Sequence, residues 1–414
     1  MQPLRGTKDI LPDENILWQY IRKIITPILS SSNYNEISTP IIENTELFQR
    51  SIGKGTDIIN KEMYSFNDQG QRSITLRPEG TASIARAFIS NKMYNFSSVN
   101  RLWYLGPMFR YERPQNGRQR QFHQLGIECI GSHNPIADVE VIRLATKILN
   151  KLEYKKYQLE INSIGQIEER EIYKNMLVNY LQKYINDLDQ DSKVRIKTNP
   201  LRILDSKCHK TQEIIYDAPK LISYLKSESR EYFDNVCELL NSLAIPYNIN
   251  YNLVRGLDYY NDTAFEIKTQ ELGSQDTICG GGRYDSLIKQ LGGPNTPSVG
   301  WAIGLERLIM LIKNEFTSTN NNPYVYLISQ NLNTQKYMWT IISILEEQNI
   351  KFELDLSFTN FSKKLKKAYK SGAKKCIIIG ENEVHTQTMT IKDLQSNYQN
   401  TIKLEMFIKT SHFN

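Results

Sequence analysis

A run of small polar residues, NEFTSTNNNP at positions 314–323, divides this 414-residue chain into two parts of different character. Such a run buries little apolar surface, which is typical of a linker. The chain is also longer than one ordinary domain of about 100 to 200 residues. We therefore predict a first domain over residues 1–316, a linker at 317–322 and a second domain over 323–414.

The first part is predicted to be a set of short strands that follow an amphipathic helix, with Asp13 as the cap at its start. Several strands are joined by short turns rather than by crossover helices, so we expect an antiparallel sheet and a fold of class α+β. Residues from about 166 to 230 are polar and helical in pattern, which predicts a helical insertion. The predicted strands are SITLRP, RLWYLGPMFRYE, QFHQLGIECIG, YQLEINSIG, IPYNINYNLVRG, TAFEIKT and SVGWAIG.

Beyond the polar run, strand and helix patterns alternate, which predicts a parallel βαβαβ unit. This part holds 12 Lys and 8 acidic residues and so carries +4 of the chain's net charge of +6. Lys363, Lys366, Lys367 and Lys370 share one face of its second helix. That face is either a solvated surface or a contact for a phosphate backbone.

The composition argues against several classes of protein. No stretch approaches the roughly 20 apolar residues of a membrane span, so we predict a cytoplasmic protein without membrane contact. The five cysteines are odd in number and lack CxxC spacing, which argues against a disulfide framework and a structural zinc site. The positive net charge is compatible with a polyanionic partner.

Four segments of the first part place arginine or a carboxylate next to glycine at the end of a predicted strand. Glycine lets a backbone approach a ligand closely, and the planar arginine fork matches phosphate and carboxylate. Neither a Walker A loop nor a Rossmann glycine fingerprint occurs, so side chains would have to hold phosphate. The pattern predicts a site for an anionic ligand. The segments are TLRPEGTA (75–82), FRYERPQNGRQRQFHQLGIE (109–128), LVRGLDYY (253–260) with CGGGRYD (279–285), and GWAIGLERL (300–308).

Each segment also has a simpler structural interpretation. RPEGTA can be a turn before a helix capped by Thr81, and CGGGRYD can be a hairpin turn. The arginines of 109–128 can belong to a solvated loop between two strands. GLERL can be a first helical turn in which Glu306 suits the positive end of the helix dipole. Arg307 has the unfavourable sign there unless it faces an anion.

The order and spacing of these segments, together with RGTKDILPDE and the stretch around Pro40, resemble the histidyl-tRNA synthetase family of class II aminoacyl-tRNA synthetases. The resemblance covers nearly the whole chain, and RGLDYY and GGGRYD are its most specific motifs. It implies an antiparallel sheet flanked by helices, a C-terminal α/β anticodon-binding domain and a homodimer built around Pro40. It also implies ATP-dependent ligation of L-histidine to its tRNA through a histidyl-adenylate.

In the first step implied by the resemblance, the histidine carboxylate attacks the α-phosphate of ATP. Both groups are anions, so the site must neutralise charge rather than supply a general base. Arg110 and Arg255 would flank the two groups as the catalytic pair. Mg²⁺ would bridge the ATP phosphates, which would be its main ligands. The residues implied to bind the rest of ATP are Glu112, Arg118, Phe122 and Arg307.

The resemblance also implies a histidine pocket and a contact with tRNA. A pocket that engages both imidazole nitrogens would reject amino acids that cannot form those hydrogen bonds. Arg113 and Gln115 would meet the acceptor end of the tRNA, whereas Arg120 receives no role. The residues implied to bind histidine are Glu79, Thr81 and Gln124 at the ammonium group and Glu128, Tyr260 and Tyr284 at the imidazole.

Two other functions fit parts of the sequence. A non-catalytic paralogue of the family could sense histidine as a regulatory subunit of another enzyme. Such paralogues usually lack the anticodon domain or some of the motif residues, but Arg110, Arg255 and Glu128 are all present here. A basic nucleic-acid-binding protein would explain the lysine face but not the carboxylates among the arginines.

Overall fold

The computed structural model describes residues 1–53, 56, 58–115, 117–314, 316 and 324–409. The chain divides into two compact units, Met1–Phe316 and Thr317–Asn414. The predicted linker at 317–322 lies outside the described residues, and its assignment stays a prediction. None of the helices in the described ranges combines the length and the apolar character that crossing a membrane requires.

The first helix, α1, spans Pro12–Ser30 and packs one apolar side, including the fully buried Ile25, against the core. The prediction that Asp13 caps this helix is wrong. Leu11 is the N-cap residue and Pro12 begins the helix, where the missing N–H costs no hydrogen bond. The other helices of the first unit are α2 (Thr45–Ser51), α3 (Thr81–Ser90), α4 (Pro135–Lys151), α5 (Ile167–Gln182), α6 (Gln190–Thr198), α7 (His209–Tyr216), α8 (Ser227–Ser242), α9 (Leu287–Gln290) and α10 (Leu305–Ile312).

The strands of the first unit form one large and one small sheet. They are β1 (Asn35–Glu36), β2 (Ile42–Asn44), β3 (Tyr64–Asn67), β4 (Ser73–Leu76), β5 (Asn100–Phe109), β6 (Gln121–Ile130), β7 (Gln158–Ser163), β8 (Asn248–Ile249), β9 (Asn261–Lys268), β10 (Thr277–Arg283) and β11 (Ser298–Gly304). Within the described residues, the large sheet has eight strands in the order β1-β5-β6-β11-β10-β9-β7-β8. Its inner strands are all antiparallel, which confirms the prediction. Only β1 and β8, at the two edges, pair in parallel with their neighbours.

Three stretches differ from the sequence prediction. SITLRP forms β4, which belongs to the small sheet β2-β4-β3 rather than to the large one. Of IPYNINYNLVRG, only the two residues of β8 form a strand. CGGGRYD is not a hairpin turn, because most of it belongs to β10, an inner strand of the large sheet. Glycine weakens a strand, so its presence there indicates that something approaches the backbone closely.

The large sheet has one apolar and one polar face, because successive side chains of a strand point to opposite faces. On β6, Leu125, Ile127 and Cys129 are buried in a core formed with α1, α4, α8 and α10. Gln124 and Glu128 alternate with them and therefore point to the other face. On that side a second core packs α3 and the helices of the insertion around the polar residues.

The predicted helical insertion is confirmed, since α5, α6 and α7 lie within it. Its two ends are tied together by Glu169, a residue only 1% exposed. The Glu169 carboxylate accepts hydrogen bonds of 2.6 Å from the backbone N–H groups of Gln166 and Lys226, and one of 2.9 Å from the Ser229 hydroxyl. These bonds join the start of α5 to the start of α8 and so close the insertion at its base.

The second unit is an α/β domain whose sheet has the order β13-β12-β14-β15-β16 in the described residues. The first three strands are parallel, which confirms the predicted βαβαβ unit. Antiparallel β15 and β16 extend it beyond what the sequence pattern indicated. All four lysines of the predicted face on α12 are exposed. The elements are β12 (Val325–Ser329), α11 (Leu332–Glu347), β13 (Phe352–Leu354), α12 (Phe361–Lys370), β14 (Lys375–Ile379), α13 (Glu381–Thr386), β15 (Thr388–Asp393), β16 (Gln399–Lys403) and α14 (Leu404–Lys409).

Candidate active site

A cleft of about 330 Å³ lies on the polar face of the large sheet. It is lined by residues of β6, β9, β10 and β11, by the loops before β6 and β9, and by the first turns of α3 and α10. All four segments that pair arginine or a carboxylate with glycine meet there, although they are far apart in the sequence. The predicted site residues that line the cleft are Glu79, Thr81, Arg110, Glu112, Arg118, Phe122, Gln124, Arg255, Tyr260 and Arg307.

Four other predicted residues do not line the cleft. Glu128 and Tyr284 lie directly behind the cleft. Glu128 accepts a hydrogen bond of 2.7 Å from the hydroxyl of the cleft residue Thr81. The second carboxylate oxygen of Glu128 accepts a hydrogen bond from the Tyr284 hydroxyl. Arg113 and Gln115 are exposed in the loop between β5 and β6, outside the cleft.

The arginines of the loop between β5 and β6 contact different partners. Arg110 and Arg118 both approach the carboxylate of Glu112, with N–O distances of 3.8 and 3.0 Å. Glu112 thereby holds two guanidinium groups on the cleft side of the loop. Arg120, which received no role from the sequence, stacks instead on the ring of Tyr111, with Cζ 3.9 Å from the ring centroid.

Arg255 is held at the cleft by Glu266 of β9, whose carboxylate contacts Nη1. The ring of Tyr260 lies beside it, with its centroid 5.3 Å from the guanidinium carbon. Gly280 of β10 provides the space, because a Cβ at that position would come within 2.4 Å of Arg255 Nη2. A glycine in this inner strand is therefore explained by the close approach of the arginine.

Arg307 lies in the first turn of α10, where a cation opposes the helix dipole. Its guanidinium donates to the carbonyl of Gly117 at 3.1 Å and to that of Thr277 at 2.9 Å. Burial and the nearby Arg118 lower the pKa of Arg307, and the opposing effect of Glu112 is smaller. A cation that is disfavoured in this way is stabilised when an anion binds beside it.

Beside the arginines, the buried residues Glu79 and Gln124 line a part of the cleft that we call the buried polar pocket. Glu79 accepts hydrogen bonds of 2.7 and 2.8 Å from the N–H groups of Thr81 and Ala82, so Glu79 rather than Thr81 satisfies the start of α3. Gln124 is 8% exposed, and its Oε1 has no hydrogen-bond partner in the described residues. A buried oxygen without a partner costs about 1 to 3 kcal/mol, so the pocket is suited to a ligand that donates a hydrogen bond.

Glu128 is the most perturbed acid of this pocket. Burial raises the pKa of Glu128 to about 8, while the hydroxyls of Tyr284 and Thr81 act against this rise. The space for its carboxylate is provided by Gly300 of β11, where a Cβ would come within 1.9 Å of Oε2. At neutral pH the carboxyl is therefore mostly protonated and can donate a hydrogen bond as well as accept one.

The unfolding free energy of the first unit should fall as the pH rises from about 5 to 8. Replacing Glu128 with glutamine is expected to make this fall smaller. The folded protein keeps the Glu128 proton until about pH 8, whereas the unfolded chain loses it near pH 4.5, so rising pH favours unfolding in this window. Glutamine resembles the protonated form at every pH. The variant should therefore gain roughly 2 to 4 kcal/mol on the wild type by pH 8, measured by urea unfolding.

The exposed Glu231 of α8 offers a matched control for this measurement. Its replacement by glutamine should change the unfolding free energy by less than about 0.5 kcal/mol at any pH. If the difference between Glu128→Gln and the wild type does not vary with pH, Glu128 titrates like an exposed carboxyl and its raised pKa is refuted.

Several cleft residues were missed by the sequence analysis. On β9, Glu266 lies between the buried Phe265 and Ile267. This alternation could have predicted that Glu266 points to the face of the sheet opposite the apolar core. Arg202 and Asp205 reach the cleft from the helical insertion. Their segment has no glycine and no strand pattern, so the sequence carried no signal for them.

A family model of anticodon-binding domains matches residues 324–411. An antiparallel sheet that gathers arginines and carboxylates into one cleft, followed along the chain by such a domain, defines an aminoacyl-tRNA synthetase. The model of the histidyl-tRNA synthetase family matches residues 6–308, which include the whole cleft. The chain belongs to the histidyl-tRNA synthetase family.

Individual relatives agree over nearly the full length. The chloroplastic histidine–tRNA ligase of Gracilaria tenuistipitata var. liui is 63% identical over 412 residues, covering 100% of this chain and 98% of the relative. The histidine–tRNA ligase of Rippkaea orientalis is 52% identical over 402 residues, covering 97% and 94%. The crystal structure of apo histidyl-tRNA synthetase from S. aureus superposes with a TM-score of 0.81 at 34% identity, covering 99% of both chains. The predicted family, fold class and enzyme class are confirmed.

Proposed function

We propose that this chain activates L-histidine with ATP to histidyl-adenylate and then transfers the histidine to the terminal ribose of its tRNA. The observation that carries the proposal is that four predicted arginines from three separate segments share one cleft with a buried polar pocket. Arginines suit the phosphates of ATP, and the pocket suits a small polar side chain. A protein that only sensed histidine would have no need for this concentration of positive charge.

In the first step, an oxygen of the histidine carboxylate attacks the α-phosphorus of ATP. The bond from that phosphorus to the bridging oxygen breaks, and pyrophosphate leaves with the electron pair. Repulsion between two anions opposes the attack, so we assign Arg110 and Arg255 as the catalytic pair that neutralises it. Each is already oriented by a contact with the protein, Arg110 by the Pro78 carbonyl at 2.9 Å and Arg255 by Glu266.

The remaining groups of ATP are assigned to the same wall of the cleft. We propose that the adenine ring stacks on Phe122, whose centroid lies 5.2 Å from Arg110 Cζ. Glu112 would accept a hydrogen bond from the adenine amino group. Arg118 and Arg307 would bind the outer phosphates. The lowered pKa of Arg307 supports this, because a bound anion would stabilise its charged form.

Magnesium is proposed to enter with ATP. Among the residues that the structure describes, no group of three or more His, Cys, Asp and Glu could hold a metal ion. The cleft does provide carboxylate oxygens, the ligand type that Mg²⁺ prefers, on Glu112 and Glu266. With the phosphates as its main ligands, the ion would supply further charge neutralisation. Titration of ATP with and without Mg²⁺ tests this, since unchanged affinity would contradict it.

The buried pocket is proposed to bind histidine. Glu79, Thr81 and Gln124 would accept from the ammonium group, and the buried Gln124 Oε1 without a protein partner supports this. Glu128 and Tyr260, with Tyr284, would engage the imidazole nitrogens. We propose that the neutral imidazole binds, because a protonated Glu128 can pair with it without burying a charge. Amino acids lacking two hydrogen-bonding edges would be disfavoured by about 10⁴-fold.

Pyrophosphate exchange into ATP, measured with a panel of amino acids, tests the proposal. Histidine should stimulate exchange, and the other amino acids should be at least about 10³-fold less effective. A histidine sensor would bind histidine without exchange. A nucleic-acid-binding protein would bind tRNA with a steep salt dependence and would not respond to histidine. Either of these two results overturns the assignment.

The tRNA contacts and the homodimer are further parts of the proposal. Arg113 and Gln115 are assigned to the acceptor end of tRNA, in keeping with their exposure. A dimer through the small sheet near Pro40 is supported by the exposed apolar side chains of Ile41, Ile42 and Phe66, which are 41%, 48% and 49% exposed. Light scattering that gives the mass of one 48.1 kDa chain would contradict the dimer.

The compartment also stays a proposal. We propose that the chain acts in the cytoplasm, as predicted from its sequence. Fractionation of cells that contain the protein tests this, and recovery of the protein in an organelle would contradict it.

A further inference from the structure

A second cavity, of about 350 Å³, adjoins the active-site cleft. Its size lies within the range of about 300 to 1,000 Å³ that is typical of small-molecule sites. One side is formed by α5 and by the segment 198–204 of the helical insertion, and the other by residues of the loop 251–259. Both cavities are lined by Arg202, Val254, Arg255, Leu257 and Tyr259, so this loop is a shared wall.

The shared wall is held in place from both sides. Arg170 of α5 donates a hydrogen bond of 2.5 Å to the carbonyl of Tyr260. Asn199 donates to the carboxylate of Asp258 at 3.3 Å, and the backbone N–H of Asp258 donates to the carbonyl of Ile52 at 3.2 Å. Protein hydrogen bonds therefore hold the wall of the second cavity, and the insertion forms part of the active-site region.

Arg202 stands where the two cavities meet. Its guanidinium packs over the backbone of Gly256, where a Cβ would lie 3.1 Å from Nη1. The cleft arginines Arg118 and Arg255 each have a carboxylate partner. By contrast, the described residues supply no hydrogen bond or ion pair to the side chain of Arg202, although its charge acts on the nearby Asp258. A half-buried guanidinium whose N–H groups have no acceptor among the described residues is suited to bind an anion.

The rest of the cavity combines apolar walls with polar edges. Ile164, Tyr173 and Leu201 supply apolar surface. Ser286 and Gln290 supply groups that can bind the edge of a heterocycle. A flat base between apolar walls, with its phosphate beside an arginine, is the ligand that this arrangement fits. This part of the lining is compatible with a nucleotide.

We propose that the second cavity binds the 3′-terminal nucleotide of the tRNA during the transfer step, with Arg202 on its phosphate. This inference rests on the proposed function. In the transfer step the ribose oxygen bonds to the acyl carbon of histidyl-adenylate, and the bond from that carbon to the phosphate oxygen breaks. AMP leaves with the electron pair, and the hydroxyl proton passes to the departing phosphate. The adenylate occupies the first cleft, so the second nucleotide needs a separate space beside it.

Single-turnover transfer from preformed enzyme-bound adenylate to tRNA tests the role of Arg202. The variant Arg202→Ala should transfer about 10- to 100-fold more slowly, and this loss should be at least about 10-fold larger than its loss in pyrophosphate exchange. Arg230→Ala removes an arginine that lines neither cavity and should change neither rate. An equal loss in both reactions would assign Arg202 to the first step, and no loss in either would remove it from the site. Both results overturn the proposal.

Binding of tRNA with and without its terminal nucleotide tests the cavity itself. Removing that nucleotide should weaken binding to the wild type by about 10-fold or more. Ile167 lines only the second cavity and is 49% exposed, so Ile167→Trp can narrow the cavity without disturbing the core. In this variant the two tRNAs should bind equally. If the terminal nucleotide contributes the same affinity in both proteins, it does not occupy the cavity. Absence of histidine-dependent exchange in the wild type would instead refute the proposed function.

Discussion

Arg255→Ala is expected to lower the rate of histidine-dependent pyrophosphate exchange by about 10²- to 10³-fold, because one preorganised charge at the reacting groups is lost. The loss should appear in kcat at saturating ATP and histidine, since the charge is needed most where the two anions approach. Exchange kinetics with purified full-length protein measure it. Exchange within about 3-fold of the wild type would remove Arg255 from the catalytic pair.

This variant also leaves Glu266 without its arginine, so a control must separate chemistry from structure. Lys268 and Thr277 still contact the Glu266 carboxylate, at 3.5 and 3.1 Å. The double variant Arg255→Ala/Glu266→Gln removes the remaining charge. If the catalytic role is correct, exchange stays low in the double variant, whereas recovery would show that an unpaired Glu266 caused the loss. Arg255→Lys keeps the charge but not the planar fork and should recover only part of the rate.

The fold could be predicted from the sequence wherever the apolar pattern was regular. The period of two in QFHQLGIECIG identified β6, and the helical spacing after Pro12 identified α1. The prediction failed where local preference and tertiary context disagree. The glycines of CGGGRYD favour a turn in isolation, but Gly280 belongs to an inner strand. A glycine is needed at this strand position because Arg255 occupies the space that a side chain would fill.

The site was predictable only in part, for a related reason. Segments that place charge next to glycine could be identified, and ten of the fourteen predicted site residues line the cleft. Arg202 and Asp205 could not, because the folding of the insertion against the 251–259 loop brings them there. The upward shift of the Glu128 pKa could not be predicted either, because burial causes it and burial is a property of the folded chain. The residue roles within the cleft stay predictions.

Arg283, the arginine of the GGGRYD motif, shows how a family motif can contain a structural residue. Its side chain is completely buried. It contacts Asp138 of α4 at 2.5 Å and Asp285 at 3.0 Å, and it donates to the carbonyl of Ser132 at 2.8 Å. It does not line the cleft. Its contacts join α4 on the apolar side of the sheet to the strand that carries Gly280.

Asp138→Ala is therefore expected to lower the unfolding free energy of the first unit by about 3 to 5 kcal/mol, among the largest effects of any single change. The reason is that Arg283 would remain charged and buried without its main partner. Arg283→Met should cost a similar amount, because it leaves the Asp138 carboxylate unpaired. Urea unfolding followed by tryptophan fluorescence measures both. A loss below about 1 kcal/mol in each would show that water or other groups compensate the charge.

The double variant Asp138→Leu/Arg283→Met distinguishes a structural ion pair from a ligand-binding arginine. Apolar replacement of both partners removes two buried charges together, so its stability should lie closer to the wild type than that of either single variant. Because Arg283 is outside the cleft, the double variant should also keep its KM for histidine within about 3-fold of the wild type. A stable double variant that no longer recognises histidine would contradict this. The arginine of the motif would then act on the pocket through Tyr284, its neighbour on the chain and the hydrogen-bond donor to Glu128.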